Sequence, residues 1–200
     1  MKNLLSSVGQ ILFPNVCVCC GDYLNHQEIS VCDFCTYQMP RYEEHHLSDS
    51  SLSKKFWGRL NLEWVAALLA YKTGNSVQQV LHQIKYKSNL SLGTEMGKKL
   101  SKALIERHKQ SPIDGIIPVP LHPKKQNIRG YNQSDLLADG VASELGIPVW
   151  KEALVRQKHN ATQTKKSRYQ RYINSKEIFR VVQPDMLANK MVLLIDNVIT

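Results

Sequence analysis

All five cysteines of the chain lie between positions 17 and 35: Cys17, Cys19, Cys20, Cys32 and Cys35. Four of them read C-x2-C, eleven residues, C-x2-C. Two such tight turns can present four thiolates to one tetrahedral zinc ion. Gly21 follows the first pair, and Asp33-Phe34 separates the second, so each turn has suitable chemistry. Disulfides are the competing use, but a reducing compartment disfavours them, and mere packing does not call for such crowding. We therefore expect a closed structural Zn2+ site formed by Cys17, Cys20, Cys32 and Cys35. Cys19 could stand in for a neighbour. The C-x2-C loops satisfy the geometry better, however, and leave Cys19 as a free thiol beside the site. A metal there would supply most of the folding free energy of a module of some thirty residues, on the order of 10 kcal/mol.

Two further stretches have the residue types for chemistry. The first runs from Pro118 to Gln133, P-V-P-L-H-P-K-K-Q-N-I-R-G-Y-N-Q. Prolines stiffen its start, and Lys124, Lys125 and Arg129 arrive just before Gly130, a basic loop suited to phosphate or pyrophosphate. An ordinary solvated loop has the same composition. The second is V-L-L-I-D-N-V-I-T at the end of the chain, where Asp196 and Asn197 place a carboxylate beside an amide. That pair could hydrogen-bond the vicinal hydroxyls of a ribose. His122 and His159 read as loop residues rather than catalysts.

These groups must be positioned by a chain of 200 residues, 42% apolar and 22% charged, with a formal charge of +9. That composition excludes disordered and fibrous classes. No apolar run reaches the ~20 residues needed to span a bilayer, and no small-residue cleavage site follows Met1–Phe13, which argues against a signal peptide. A cytoplasmic location is expected. Leu4, Leu5, Val8, Ile11 and Leu12 form a one-sided helical stripe, so residues 1–40 should hold an amphipathic helix plus the zinc ribbon. Residues 41–61, with His45-His46 and Ser48–Ser53, read as a solvated linker. From 62 to 200 the pattern alternates. Trp64–Tyr71 is strand-like; Val77, Val80, Leu81 and Ile84 mark a helix, and Leu92, Met96, Leu100 and Leu104 another. Gly93 and Gly97 would let that second helix approach a neighbour closely. Asp114–Pro120 and Lys190–Asp196 are continuous apolar strands, Ser134–Leu145 is a helix stopped by Gly146, and residues 175–182 look extended. Apolar strands separated by amphipathic helices predict an α/β fold whose parallel sheet is covered on both faces. In such sheets ligands bind at the carboxyl ends of the strands.

In combination these features resemble the ComF (ComFC) family of competence-associated proteins. The resemblance rests on F-P-x-x-C-x-x-C-G (Phe13 to Gly21), I-K-Y-K (Ile84 to Lys87), P-V-P-L-H-P with R-G-Y-N-Q (Pro118 to Gln133), the Q-T-x-x-S-R-x-x-R-x-x-N segment ending at Asn174, and L-I-D-x-V-I-T. It implies a parallel sheet of the type I phosphoribosyltransferase kind flanked by helices, preceded by a small N-terminal zinc-ribbon module. It also implies that Asp196, Asn197, Val198, Ile199 and Thr200 begin a motif for phosphoribosyl pyrophosphate (PRPP), with Mg2+ accompanying PRPP where the site is functional. The family motif looks like L-I-D-D-V-x-T-T-G-x-T, with paired acids for the ribose and a backbone cradle for the 5′-phosphate. Here Asn197 replaces the second acid and the sequence stops at Thr200, so the motif is C-terminally incomplete and weak PRPP binding is expected.

The charge is also concentrated. From Arg156 to Arg180 eight basic residues face Glu177 alone, which places +7 of the chain's +9 in 25 residues. Tyr169 and Tyr172 are interleaved with Lys165, Lys166, Arg168 and Arg171. A solvated loop and, by the resemblance, a hood over PRPP are two readings of this segment. A third is a contact for single-stranded nucleic acid, favoured because the charge exceeds what one pyrophosphate requires. Two functions are thus in view. One is a ComF-like protein assisting single-stranded DNA handling in natural transformation, with a competence helicase or recombination mediator as the partner the resemblance implies. The other is a phosphoribosyltransferase using Mg-PRPP and an unknown acceptor.

Overall fold

The computed structural model describes residues 14–42, 52–58, 60, 62–157 and 178–199. The helical stripe at Leu4–Leu12, the histidine pair at 45–46 and Thr200 lie outside the described residues. The chain divides into two compact units, Met1–Leu92 and Gly93–Thr200.

In the first unit the start of the described chain is held by short turns rather than by a core. Val16 and Tyr23 form an antiparallel bridge. Helix α1, Asp33–Gln38, is capped by the Cys32 sulfur, which accepts from the Cys35 N–H. Ahead of it, the Glu28 carboxylate accepts from the N–H groups of Asn25 and Asp33 at 2.8 and 2.7 Å. Those two bonds stabilise the charged carboxylate and hold it below its ordinary titration range. A single 3-10 turn, Ser53–Lys55, lies within the expected linker and buries Leu52. The expected strand Trp64–Tyr71 is not formed. It makes an antiparallel bridge, Leu69 to Arg41, with Ala70 N–H donating to Pro40 O at 2.8 Å and Tyr42 N–H to Leu68 O at 3.4 Å. An apolar run becomes a strand only against an extended partner, which composition alone does not supply. Helix α2, Ser76–Tyr86, begins at the Asn75 cap and buries Val77, Val80 and Ile84 at the predicted helical spacing.

Helix α3, Leu90–Gln110, buries Leu92, Met96, Ser101 and Leu104. Strand β1, Gly115–Pro118, is buried throughout. Next come α4, Pro123–Arg129, and α5, Gln133–Leu145, the latter closed by Gly146 in the left-handed conformation at φ +69°. Strands β2, Leu154–Arg156, and β3, Phe179–Val181, form an antiparallel pair, and the one-turn α6, Pro184–Leu187, leads into β4, Val192–Ile195. β4 runs parallel to β1 in the register Gly115–Val192 to Pro118–Ile195, and Val149 bridges Ile116 on the other side of β1. The molecule is thus a mixed α/β protein with a small parallel sheet, as the alternation of strand and helix predicts. Cover on both faces is not complete among the described residues, since Leu194 in β4 is 57% exposed.

Two close approaches fix this unit. A Cβ on Gly97 of α3 would run into the carbonyl oxygen of Leu137, and one on Gly140 of α5 into that of Thr94. At the start of the strand pair, Asp114 accepts from the Met191 N–H at 2.8 Å and from Lys190 Nζ at 3.0 Å. The backbone bond and the Lys190 partner hold the Asp114 carboxyl below its ordinary value of 3.8.

Gly97→Ala should lower stability by ~1–3 kcal/mol in denaturant unfolding, because the obstacle is backbone that cannot rotate away, and this outweighs the ~1 kcal/mol of helix propensity gained. Because the donors around Asp114 favour its charged form, their contribution is present above pH 3.8 and is lost as the pH falls below it. Asp114→Asn should therefore lower the urea midpoint at neutral pH and flatten its acid-side decline.

Candidate functional site

The four cysteines predicted as ligands converge. The sulfurs of Cys17, Cys20, Cys32 and Cys35 all lie within 4.8 Å of one another. A tetrahedral ion with Zn–S bonds of ~2.3 Å would set its ligand sulfurs ~3.8 Å apart. The Cys20 and Cys32 sulfurs stand at 3.7 Å, so the cluster has the dimensions of a metal site and is consistent with a zinc-ribbon module. The turns that bring the sulfurs together also supply donors to them. The Cys17 sulfur accepts from the N–H groups of Cys32 at 3.3 Å and Cys19 at 3.4 Å. Gly21 closes the first turn at φ +83° with its N–H on Cys17 O at 2.9 Å.

These donors matter for the charge on sulfur. Burial alone would push the Cys17 thiol up, but the backbone N–H groups of Cys32, Cys20 and Cys19 outweigh it and bring the group down to about 6. Those donors favour the charged form of the Cys17 sulfur, the form that binds a metal. Cys19 is held the other way. Burial, with the nearby Cys17, pushes its thiol up to about 12, and its sulfur approaches the Ser76 carbonyl at 4.0 Å. It stays outside the four-sulfur cluster.

The second candidate lies where β1 and β4 end. Because the strands are parallel and in register, Pro118 and Ile195 sit side by side, and the chain leaves both strands at the same edge. Val119 N–H donates to Ile195 O at 2.8 Å, extending the pairing one residue further. α5 then ties the edge together. Asn132 Nδ2 donates to Val119 O at 3.1 Å and to Asp135 Oδ1 at 2.7 Å. The Ser134 hydroxyl donates to Asp196 Oδ1 at 3.3 Å, and Asn197 N–H donates to the same oxygen at 2.7 Å. Burial raises Asp135 above its usual range, against the pull of the Asn132 bond.

The R-G-Y-N-Q and L-I-D-N segments are therefore joined by side-chain hydrogen bonds. Asp196 is exposed, while Asn197, Val198 and Ile199 are half-buried. Lys124 and Lys125 are exposed, but the expected loop around them is the helix α4. His122 caps it by accepting from the Lys124 N–H at 3.1 Å, Pro123 takes the first turn, where no amide is needed, and Gly130 ends it at φ +83°. Arg129 stands in its last turn. Lys165, Lys166, Arg168, Tyr169, Arg171 and Tyr172 lie outside the described residues. Residue types alone did not single out Asn132, Ser134 and Asp135 as parts of the edge. Their signal was the polar run N-Q-S-D opening a helix, which reads first as capping chemistry.

No family model matches the chain. Among curated proteins it is similar to Competence protein F of Haemophilus influenzae, 38% identical over 94 residues, which are 46% of this chain and 41% of that protein. It is also similar to the DNA utilization protein YhgH of Escherichia coli O157:H7, 28% identical over 124 residues, 60% of this chain and 54% of that protein. The protein of the same name from Shigella flexneri matches to the same extent. The chain spans about half the length of the curated relatives it matches.

Asn132→Ala removes both bonds from the edge and leaves the Val119 carbonyl without its side-chain donor. It should lower stability by roughly 1–3 kcal/mol, read as a denaturant midpoint.

Proposed function

We propose that this chain, whose relatives support its assignment to the ComF family, takes part in DNA uptake by handling incoming single-stranded DNA, with a degenerate phosphoribosyl pyrophosphate site beside that role. The observation that carries the DNA reading is the placement of +7 of the net charge between Arg156 and Arg180, with Tyr169 and Tyr172 among the arginines. Basic heads neutralise phosphates, and tyrosines offer stacking faces to unpaired bases. Lys165, Lys166, Arg168 and Arg171 carry the phosphate contacts in this reading. The names of the relatives agree with it, and the partner it implies is a competence helicase or a recombination mediator.

The four-cysteine cluster is assigned zinc on the same reading. Cys17, Cys20, Cys32 and Cys35 hold it, and the closed set of four sulfurs makes its role structural. A bound ion would cross-link two turns that otherwise share little buried apolar surface.

A phosphoribosyl ligand is the second reading, favoured by the shared edge of β1 and β4, where Asp196 meets the first turn of α5. Asp196 and Asn197 would face the ribose hydroxyls, with Val198, Ile199 and Thr200 following, and Lys124, Lys125 and Arg129 before Gly130 would lie toward the pyrophosphate. One carboxylate instead of two weakens the hold on Mg2+, which places binding ahead of catalysis. A phosphoribosyl transfer to an acceptor remains the alternative activity of this edge.

The chain should bind single-stranded DNA with an affinity that falls steeply between 50 and 200 mM salt, on the order of tenfold or more if several phosphates are neutralised. Arg168→Ala with Arg171→Ala should weaken binding and reduce the salt slope by ~1.4, measured by fluorescence anisotropy. An unchanged affinity and slope would contradict the DNA reading.

A further inference from the structure

Three consecutive polar side chains are sunk at the first turn of α5. Asn132, Gln133 and Ser134 are 5%, 2% and 3% exposed. The outer two are accounted for: Asn132 bonds the exit of β1 through Val119 O, and Ser134 bonds Asp196 at the end of β4. Between them, Gln133 Nε2 has no partner among the described residues. A buried amide donor left unpaired is costly, and such groups are rare unless water or a ligand completes them. Side chains in a helix lean toward its N-terminus, so Gln133, the first residue of α5, is directed to the end of the helix that meets the two strand exits. That end is also the positive pole of a thirteen-residue helix, which favours an anion. The Ser134 and Asn197 donors both engage Asp196 Oδ1 and so fix the carboxylate, leaving Oδ2 as its acceptor toward a diol.

We propose that Gln133 is a ligand-binding residue whose Nε2 donates to an oxygen of a phosphorylated ribose at the joint end of β1 and β4, with Ser134 as the positioning residue that aims Asp196 at the sugar hydroxyls. This rests on the phosphoribosyl reading of the edge and adds to it the buried donor and the positioning contact.

The test is calorimetric titration of the full chain with ribose 5-phosphate and with 2-deoxyribose 5-phosphate, alongside urea unfolding without ligand. Gln133→Met, similar in size and lacking the donor, should keep or raise the urea midpoint while weakening ribose 5-phosphate at least tenfold. Ser134→Ala should erase the preference for ribose over deoxyribose; if it fails to erase it, the positioning role is overturned. A Gln133→Met chain that binds as tightly as the parent overturns the ligand role alone, and a sharp fall in its midpoint with unchanged affinity makes the amide structural. If Gln133→Met does not fold, Gln133→Glu reads the same affinity, since it keeps the size and replaces the donor with a repelling carboxylate. A parent chain that binds neither sugar phosphate overturns the inference and the phosphoribosyl reading together.

Discussion

The second unit depends on the parallel pairing of β1 with β4. Parallel strands leave the sheet at the same edge, so segments almost 80 residues apart in the chain, Pro118 onward and Ile195 onward, must emerge side by side. Everything polar at that edge follows from this. Asn132 can reach Val119 O and Ser134 can reach Asp196 because both strand exits lie under the first turn of one helix. An antiparallel pairing of the same strands would have put Val119 and Asp196 at opposite ends. The opposite end of the pair is closed by Asp114 with Lys190 and the Met191 amide, so the register is held at both ends.

The cysteine module solves a different problem by different means. Between Pro14 and Tyr42 few apolar side chains are buried, among them Val31 and Met39, while Tyr23, Phe34 and Tyr37 are exposed. Such a segment cannot be held by apolar burial alone. Its order comes from backbone bonds around the turns, Cys17 N–H to Asp22 O at 2.7 Å and Val18 N–H to Ser30 O at 2.9 Å, and from four sulfurs brought to ligand distance. The cysteine module and the parallel sheet thus fix the chain in different ways, one by a sulfur cluster and backbone bonds, the other by apolar pairing.

How much of this was legible depended on how local the signal was. The cysteine spacing, the stripe Val77–Val80–Ile84 and the Gly146 stop are local, and the structure has the thiol cluster, α2 and α5 accordingly. The Gly93 and Gly97 spacing in α3 also had its predicted use, close approach to α5 at Leu136, Leu137 and Gly140. Trp64–Tyr71 had the composition of a strand but is bridged only at Leu69 among the described residues, and pairing is a tertiary property. The prolines before Lys124 suggested a stiff loop, whereas Pro123 at the first turn and Gly130 at the end delimit a helix. Least legible was the burial of Asn132, Gln133 and Ser134. Polar residues read as surface, and their burial follows only from α5 lying over both strand exits.

The central claim is that the R-G-Y-N-Q and L-I-D-N segments form one ligand edge. Amide NMR of the full chain during titration with ribose 5-phosphate tests it most directly. The account predicts that resonances of Gly130–Ser134 and of Asp196–Ile199 shift together, with one shared dissociation constant. Shifts confined to one of the two segments, or two unrelated constants, would contradict it.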